Sequence, residues 1–586
     1  MSYFLRQDKR KNRIYLQMYE RYWNKELKQA RTRCIESFGY VDELKKKGIT
    51  NPINYYNDLV QKREQERLAT LNEDTRPRIS DEIIEKNLGY FLYDVLLQEL
   101  GVKKVIDILA SVKQFQFNLY DLIRELIVSR IIDPCSKSKT VEKVFPKLYN
   151  YVPISEDQVN DGLYFIGSTY KKYIELFNSQ YEKIFPRNLG VCYFDCTNYY
   201  FEIDMEDELR KKGPSKENRQ EPIIGQALLL DENLIPYSME LYPGNMSEKP
   251  FIRKLIEDMK TRSKVRGKTI QVADKGLNCA RNIYAAVKEA KDGYIFSKSV
   301  HGKNLSEQEK AWVLMEDNNA NKYTYFYDSD KKLKYKIKSC IDNFKYSFTD
   351  VDLETGEQYT TTFIVKEKRI VSYNPDLARK QKAEIQKEID KATKYATFKA
   401  MTKEELGSAS KYLINATVDD YGNKIKPRLE LNQAKIEEEM RFAGYNLIVT
   451  SETHMSSKQI FDTYHNLWKI EECFRLTKSY LDARPVYAKK EETIYAHFLI
   501  CYLGLFLTRV LEIKCFNNTI NAQTIINFAR EFKVARLDEN KYINLSFDKG
   551  LIEKMKNVTD LTILDALYLT KKEVDDLFKY ILPNMP

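Results

Sequence analysis

Residues 190–203, "GVCYFDCTNYYFEI", mark the point at which the chain changes from helical to β-rich patterning. Two more short runs follow, "IIGQALLLD" (223–231) and "IPYSMELYPGN" (235–245). Aromatic, β-branched and aliphatic residues fill these runs, and turn residues separate them. The sequence therefore predicts three consecutive strands that begin a sheet.

Strand and helix patterns then alternate along the chain. "KTIQVADKG" (268–276) predicts a buried strand that ends in an acid, "CARNIYAAVKEAK" (279–291) predicts a helix, and "GYIFSKS" (293–299) predicts another strand. Such an alternation is typical of an α/β layer. We therefore expect an α/β fold in which a mixed sheet is flanked by helices.

The patterns on either side of this core divide the chain further. Alternating charged and aromatic residues near the N-terminus predict a small antiparallel sheet with a basic face, and three- and four-residue apolar spacing then predicts helices. After residue 300, polar β-rich segments and a charged helical run interrupt the core, which resumes at "GYNLIVTSE" (444–452). We expect a basic β-rich segment at 1–50, a helical region at 51–188, the core at 189–300 and 441–512, a β-rich insertion with a charged helix at 301–440, and a helical C-terminal region at 513–586.

Length and composition limit the class of protein. A chain of 586 residues is too long for one ordinary core and suggests two to four domains. Its 43% hydrophobic and 31% charged residues favour a soluble globular protein over a disordered one. The nine cysteines form no CxxC pair, no signal peptide is evident, and the longest apolar run, residues 498–507, is too short to cross a bilayer. We expect an intracellular protein without a zinc module, disulfide framework or membrane partner.

Positive charge is concentrated in places, although the net charge is only +10. Residues 1–33 contain ten Lys or Arg against three acids, and residues 251–268 contain seven against two. Such patches can neutralise phosphates, or they can be the solvated faces of a Lys-rich protein. Both interpretations stay open until a catalytic site favours one.

Three acids are candidates for chemistry. Asp195 lies inside an apolar strand, where an uncompensated carboxylate would be costly to bury, and Asp274 ends the next hydrophobic strand pattern. Glu471 lies in "YHNLWKIEECFRLTK" (464–478), where a single helix would carry Tyr464, Glu471 and Lys478 on one face. Structural alternatives are a turn or helix cap for each aspartate and a surface ion pair with Arg475 for the glutamate.

Together the three carboxylates predict a metal site. Carboxylate oxygens are preferred ligands of Mg²⁺ or Mn²⁺, and two ions about 4 Å apart suit in-line displacement at phosphorus. We therefore expect two ions held by Asp195, Asp274 and Glu471.

Other candidates carry structural interpretations. His301, His454, His465 and His497 show no metal-ligand spacing, His497 is more simply a hydrogen-bonded core residue, Trp468 and Phe474 are expected core anchors, and Glu472 is an expected bystander.

These residues resemble the insertion-sequence transposases of the DDE type whose third acid lies in a Tyr-x2-Arg-x3-Glu-x6-Lys signature. Tyr464, Glu471 and Lys478 hold the signature spacing. "ADKGLNCARN" (273–282) is similar to the family's Asp-Arg-Gly segment, with Lys275 in place of Arg. "YPGNMSEK" (242–249) resembles its Gly-Asn turn, and "ARPVY" (483–487) with His497 downstream is also similar.

The resemblance implies a ribonuclease H-like catalytic core that holds the three acids. It also implies that Tyr464, Lys478 and Lys275 contact the DNA backbone, a positioning role that needs no base contact. The signature's Arg position is Leu467 here, so we expect Arg475 or Arg484 to supply the missing guanidinium.

The function that the resemblance implies is that of a DNA transposase. It would bind the terminal inverted repeats of an insertion sequence, cut the DNA with metal-activated water and join the 3′ ends to target DNA. The helical region at 51–188 would bind DNA or mediate dimerisation, a homodimer would pair two ends, and the protein would act on the nucleoid in a bacterial cytoplasm. Two alternatives stay open: a ribonuclease H-like nuclease without joining activity, and a non-catalytic DNA-binding protein derived from a transposase.

Overall fold

The computed structural model describes residues 2–24, 29–72, 85–216, 220–263, 267–301, 305–316, 322–351, 355–395, 407–418, 424–484, 486 and 488–585. It divides into two compact units, Met1–Glu82 and Ile83–Pro586. Each unit has buried apolar residues of its own.

The first unit is a three-stranded antiparallel sheet with two helices. Its elements are β1 (Ser2–Arg10), β2 (Arg13–Asn24), β3 (Gln29–Tyr40), α1 (Val41–Lys46) and α2 (Pro52–Asn72). Lys11 and Asn12 both have positive φ, which is the geometry of the tight turns that join antiparallel strands. Arg10 and Arg13 stack over Tyr15 and Tyr40, and Arg13 also pairs with Asp42 and Glu43, so the expected basic face stays a prediction.

The second unit is built around one large sheet. Its strands are β4 (Glu85–Asn87), β5 (Val191–Tyr200), β6 (Ile223–Leu230), β7 (Pro236–Pro243), β8 (Ile270–Ala273), β9 (Gly293–Lys298), β10 (Thr324–Tyr327), β11 (Leu333–Val351), β12 (Gln358–Tyr373), β13 (Leu413–Val418), β14 (Lys424–Leu431), β15 (Tyr445–Thr450), β16 (Lys533–Arg536), β17 (Lys541–Asn544) and β18 (Tyr568–Thr570). Nine of these strands form a mixed sheet in the order β10-β11-β12-β15-β9-β8-β5-β6-β7.

The centre of this sheet combines both strand directions. β5, β6 and β7 form an antiparallel meander, whereas β8 lies parallel to β5 and β9 lies parallel to β8. In the β5–β8 pair, Phe194 lies opposite Ala273. The next residue of each strand is therefore an aspartate, Asp195 or Asp274, and the two acids reach the same level of the sheet.

Part of the expected insertion belongs to the same sheet. β11 and β12 form a long antiparallel pair, and β12 pairs with β15, so β10, β11 and β12 extend the core sheet. β13 and β14 form a separate two-stranded sheet. The segment boundaries at 300 and 440 stay predictions.

Helices cover both faces of the large sheet. They are α3 (Phe91–Glu99), α4 (Val102–Ala110), α5 (Leu119–Ile132), α6 (Lys137–Lys139), α7 (Glu156–Ser168), α8 (Tyr170–Ile184), α9 (Lys249–Ser263), α10 (Ala280–Tyr284), α11 (Glu307–Leu314), α12 (Pro375–Tyr395), α13 (Gln433–Phe442), α14 (Ser457–His465), α15 (Trp468–Arg475), α16 (Glu491–Val510), α17 (Ala522–Glu531), α18 (Lys549–Thr559) and α19 (Lys571–Leu577). Alternate residues of β5 point to opposite faces: Tyr193 and Tyr199 join the larger apolar cluster, with α5 and α16, whereas Cys192 and Phe194 join the cluster on the other face.

α16 is the central helix of the larger cluster. With the π-helical turn that follows it, residues Glu491–Cys515 have the length and hydropathy of a membrane-spanning helix, but 94% of its most apolar window is buried inside the protein. α5, α7 and α17 pack against this helix. Its apolar surface is therefore used by the core.

The prediction of a helical C-terminal region at 513–586 is only partly correct. The region contains α17, α18 and α19, but it also contributes β16, β17 and β18, which form a four-stranded sheet with β4. Each of these strands has three or four residues. A two-residue alternation cannot be recognised over so short a run, and long-range pairing stabilises the strands instead.

Candidate active site

Asp195 and Asp274 lie side by side on neighbouring parallel strands. Tyr193 and Val272, two residues before each acid, both belong to the larger apolar cluster, so the two carboxylates leave the sheet on the face that the helices α15 and α16 cover. The backbone N–H of Cys196 donates to Asp195 Oδ1 at 2.7 Å. The Tyr464 hydroxyl donates to Asp274 Oδ1 at 3.1 Å.

The helix expected to carry the signature is interrupted, which corrects the single-helix prediction for residues 464–478. α14 ends at His465 and α15 begins at Trp468. Between them the backbone bonds span three residues instead of four, for example from Ile470 N–H to the Leu467 carbonyl. Leu467 is only 6% exposed and anchors this tight turn in the core. Tyr464 and Glu471 therefore lie on separate helices, and a π-helical turn at Leu476–Tyr480 also changes the direction in which Lys478 points.

Electrostatic interactions link the three acids. Burial raises the pKa of Asp195 to about 7; the Lys216 ammonium opposes this shift, and the Glu248 and Asp274 carboxylates add to it. Partial burial and the Asp274 carboxylate raise the pKa of Glu471, again opposed by Lys216. The fold therefore brings Asp195, Asp274 and Glu471 into one electrostatic neighbourhood.

Two residues of this neighbourhood were not predicted from the sequence. Lys216 donates to the carbonyl of Cys196, and its Nζ lies 3.5 Å from Glu248 Oε2. A Cβ added to Gly276 would lie 2.7 Å from Glu248 Oε1, so the end of the Glu248 side chain lies close against Gly276. The Gly-Asn turn that precedes Glu248 was the available signal for the glutamate. Lys216 follows "KKGPS" in a loop without any recognisable pattern.

The donor groups fit a divalent cation by their chemistry. Burial raises the pKa of Asp195 and Glu471, and repulsion from neighbouring carboxylates raises it further: Glu248 and Asp274 act on Asp195, and Asp274 acts on Glu471. A hard dication with oxygen ligands would relieve that repulsion. Within the ranges that the structure describes, no three His, Cys, Asp or Glu side chains already form a metal-ligand cluster.

The cations expected to contact DNA lie at different distances from this neighbourhood. Lys478 lies over the ring of Tyr199 at 5.3 Å, and Arg484 lies over that of Tyr200 at 5.9 Å, so both flank the end of β5. Lys275 is exposed beside Asp274. Arg475 is 60% exposed and lies 3.6 Å from Glu472. Pro485 and Tyr487 of "ARPVY" lie outside the described residues.

The remaining candidates have mainly structural roles. Glu472 accepts from Lys469 at 3.1 Å and from the buried Arg509 at 3.2 Å. Phe474 is buried, as expected, but Trp468 is 51% exposed, so the prediction that it anchors the core is wrong. The tight turn before α15 rotates Trp468 outward, and Lys469 lies over its ring.

Comparison with known proteins decides the family. A family model described as "Transposase DDE domain" matches residues 202–507, more than half of the chain. The chain belongs to the DDE transposase family. Asp274 and Glu471 lie inside the matched range of the transposase, and Asp195 lies just before its first residue.

Individual relatives are more distant. A stretch of 85 residues, 14% of this chain, is 28% identical to a probable transposase for the insertion sequence element IS5377 from Geobacillus stearothermophilus, and it spans 22% of that relative. The solved synaptic complex of piggyBac transposase with hairpin DNA aligns over 87% of this chain and 88% of its own. Its TM-score is 0.36 and its sequence identity is 10%, so that overlap decides neither fold nor function.

Proposed function

We propose that this member of the DDE transposase family is a DNA transposase that cleaves DNA at the ends of an insertion sequence and joins the freed 3′ ends to target DNA. The observation that carries the proposal is the register of β5 and β8. It sets Asp195, in the middle of β5, beside Asp274, which directly follows β8, with Glu471 within electrostatic reach of Asp274. A carboxylate triad of this kind suits phosphodiester chemistry that needs no covalent enzyme intermediate.

The catalytic core would be ribonuclease H-like. Five strands support this proposal: they run in the order β7-β6-β5-β8-β9, with an antiparallel meander followed by two parallel strands. The first acid lies on the first strand of the meander and the second acid follows the fourth strand. The third acid comes from a helix after the long β11–β12 pair.

Asp195, Asp274 and Glu471 would hold the divalent metal that the DDE transposase family generally uses, and we propose two Mg²⁺ or Mn²⁺ ions. The bound metal would activate the attacking water or 3′-hydroxyl and offset charge on the phosphoryl group. Residues of the chain supply the remaining functions. Tyr464 orients the Asp274 carboxylate, and Lys216 offsets the repulsion among the acids while the site is without metal.

The DNA would lie along the end of β5. Lys478 and Arg484 flank this end at Tyr199 and Tyr200, and Lys275 is exposed beside Asp274. Their side chains would contact backbone phosphates and fix the scissile bond relative to the acids. Arg484 is the proposed substitute for the signature Arg, because its guanidinium lies over the ring of Tyr200 at the end of β5.

The substrates would be the double-stranded ends of the element and a target duplex. The basic first unit and the helices at 85–184 would recognise the ends or pair two protomers in a homodimer, acting on the nucleoid of a bacterial cytoplasm. The ten basic residues among positions 1–33 support a role in DNA binding.

An oligonucleotide assay tests the chemistry. End duplexes taken from the DNA that flanks the gene are incubated with target plasmid and Mg²⁺. We expect metal-dependent nicking and joined products, and no product from Asp195→Ala, Asp274→Ala or Glu471→Ala. Asp462→Ala is the control, since its carboxylate is exposed and pairs with Lys458 on α14. Cleavage without joining would favour a simple nuclease, and normal activity of Asp195→Ala would exclude the proposed mechanism.

A further inference from the structure

A second positively charged site lies away from the carboxylates. A cavity of about 290 Å³ opens between the end of α5, the turn that leads into α6, and the segment that enters α16. Four of its lining side chains are basic, namely Arg130, Lys137, Lys489 and His497, and its one acid is Asp482. The cavity therefore concentrates cationic and hydrogen-bonding groups around an open space.

Arg130 is a buried cation without a carboxylate partner. Its side chain is only 6% exposed, and its Nη2 donates to the backbone carbonyl of Cys135 at 3.2 Å. In the part of the chain that the structure describes, this contact with a neutral carbonyl is its hydrogen bond, and no ion pair includes its guanidinium. A buried guanidinium is normally paired with a carboxylate or phosphate, because its desolvation is otherwise uncompensated.

Lys137, on α6, also lines the cavity and is half-buried. Among the described residues its ammonium has neither a hydrogen-bond acceptor nor an ion-pair partner. Burial, followed by the charge of Arg130, lowers the pKa of Lys137 to about 7. An anion between the two side chains would offset the charge of Arg130 and stabilise the ammonium form.

The other lining groups suit an oxyanion rather than a metal or an apolar ligand. Lys489 is exposed at the mouth of the cavity and the amide of Asn160 faces it. Arg130 and Lys137 lower the pKa of His497 further below its ordinary value after burial has lowered it, so this ring stays neutral and contacts the Ala483 carbonyl at 3.2 Å. Planar and tetrahedral donors of this kind match the oxygens of a phosphate group.

The cavity is structurally connected to the strand that carries Asp195. Phe498, next to His497 on α16, packs edge-on against Tyr199 of β5 with ring centroids 4.8 Å apart. Arg210, from the segment after β5, donates to the backbone carbonyl of Lys489 at 3.2 Å. A DNA strand that follows Lys478 and Arg484 along the end of β5 would therefore continue toward this cavity.

We propose that the cavity binds a backbone phosphate of the DNA through Arg130 and Lys137, one or more nucleotides away from the bond that is cut. This inference rests on the proposed function for its ligand. The shared chemistry is that of a phosphate oxyanion, which could be a phosphodiester of DNA or free inorganic phosphate. The site would position the duplex and would read no base.

Lys137→Gln is the test, with Lys139→Gln as the matched control. Both lysines lie on α6, but Lys139 is exposed and does not line the cavity. Affinity for a fluorescein-labelled end duplex is measured by anisotropy across 0.05–0.5 M salt, without divalent metal. Each lost phosphate contact should reduce the slope of log K against log salt by about 0.9, which corresponds to about eightfold weaker binding at 0.1 M. We expect this change for Lys137→Gln and the wild-type slope for Lys139→Gln and Lys137→Arg.

Two further measurements distinguish the outcomes. Lys489→Gln, at the exposed mouth, should weaken binding in the same direction even if Lys137→Gln fails to fold. Melting temperatures in inorganic phosphate and in chloride at equal ionic strength test whether the cavity binds free phosphate. The proposal is overturned if wild type and Lys137→Gln give the same slope of log K against log salt. It is also overturned if phosphate raises the melting temperature of wild type but not of Lys137→Gln while the DNA slope is unchanged, because the cavity then binds only the free anion. DNA binding is measured without Mg²⁺, and cleavage is measured with it. A failure of the phosphate contact and a failure of the proposed cleavage activity therefore give different results.

Discussion

At Tyr464 two roles compete for one hydroxyl group. The family resemblance implies a contact with the DNA backbone, whereas the hydroxyl donates to Asp274 Oδ1 in the folded chain. Burial, and then the charge of Asp274, raise the pKa of Tyr464, so the hydroxyl stays protonated at neutral pH and acts as a donor. Its first role is therefore to fix the orientation of a carboxylate.

Tyr464→Phe separates these roles. The variant keeps the ring and loses one hydrogen bond to a charged acceptor, so we expect cleavage at saturating DNA to slow about tenfold, equivalent to about 1.4 kcal/mol. Affinity for the end duplex should be unchanged. Single-turnover cleavage and anisotropy measure the two quantities. Weakened affinity with an unchanged rate at saturation would instead assign the hydroxyl to a phosphate.

Glu125 is a buried acid outside the candidate site. Its Oε1 accepts from the Val152 N–H at 2.6 Å, and its Oε2 has no partner among the described residues. Burial raises the pKa of Glu125 to about 7, from an ordinary value of 4.5. The folded state therefore holds this proton more tightly than the unfolded state does. Its stabilising effect is complete below about pH 4.5 and is lost as the pH rises through 7.

Glu125→Gln should remove this part of the pH dependence, because the amide stays neutral. We expect the variant to match wild type near pH 4.5 and to exceed it at pH 8.5 by at most about 3 kcal/mol in free energy of unfolding. Urea titrations at the two pH values measure the difference. The exposed Glu142→Gln is the control and should show no pH-dependent gain. A constant offset at both pH values would show that Glu125 is ionised throughout.

At the scale of elements, an ion network fixes the helix that carries Glu471. Arg509 on α16 is fully buried and bonds Glu512 and Glu472, and Lys469 bridges the same two acids at 3.1 and 3.5 Å. Glu472 faces the core through this network. Its neighbour Glu471 consequently faces the other acids.

Arg509→Leu should destabilise the fold by about 3–5 kcal/mol, because it leaves the Glu512 and Glu472 carboxylates without their buried cation. Arg475→Leu is a matched control, since Arg475 approaches the same Glu472 from solvent and should change stability by no more than about 0.5 kcal/mol. Denaturant unfolding measures both variants. Similar losses of unfolding free energy in the two variants would mean that the buried Arg509 contributes no more to stability than the exposed Arg475.

The sequence predicted the central elements well where each carries its own periodic signal. The five strands from β5 to β9 correspond to runs of six to fourteen patterned residues, and the two aspartates were recognised because they interrupt apolar runs. The β16–β18 strands were missed because they are too short for such a signal. The turn at Leu467 was missed because its leucine continues a helical apolar pattern, and only packing causes the tighter turn.

The site was predicted to the extent that its residues stand out locally. Asp195 was predicted from its position inside an apolar strand and Asp274 from its position at a strand end, and the pairing of β5 with β8 places the two side by side. Lys216 and Glu248 come from loops, and their proximity to Asp195 depends on tertiary structure. The anion cavity combines α5 and α6 with the entry to α16, which lies more than 300 residues further along the chain, so no local pattern could have indicated it.

At the scale of the whole molecule, the second unit should fold without the first. Its apolar clusters contain residues between Leu88 and Leu582, whereas the first unit buries its own small set, including Leu16, Met18 and Leu44. We expect residues 83–586 to unfold cooperatively within a few degrees of the full chain.

The fragment lacks the ten basic residues of positions 1–33, so its binding to the end duplex should depend less steeply on salt. Calorimetry and anisotropy measure these quantities, with full-length protein carrying Gln at Arg6, Lys9 and Arg10 as the matched control for charge alone. A fragment that aggregates or melts without a cooperative transition would mean that the first unit completes the fold. A fragment with an unchanged salt slope would remove the first unit from DNA binding.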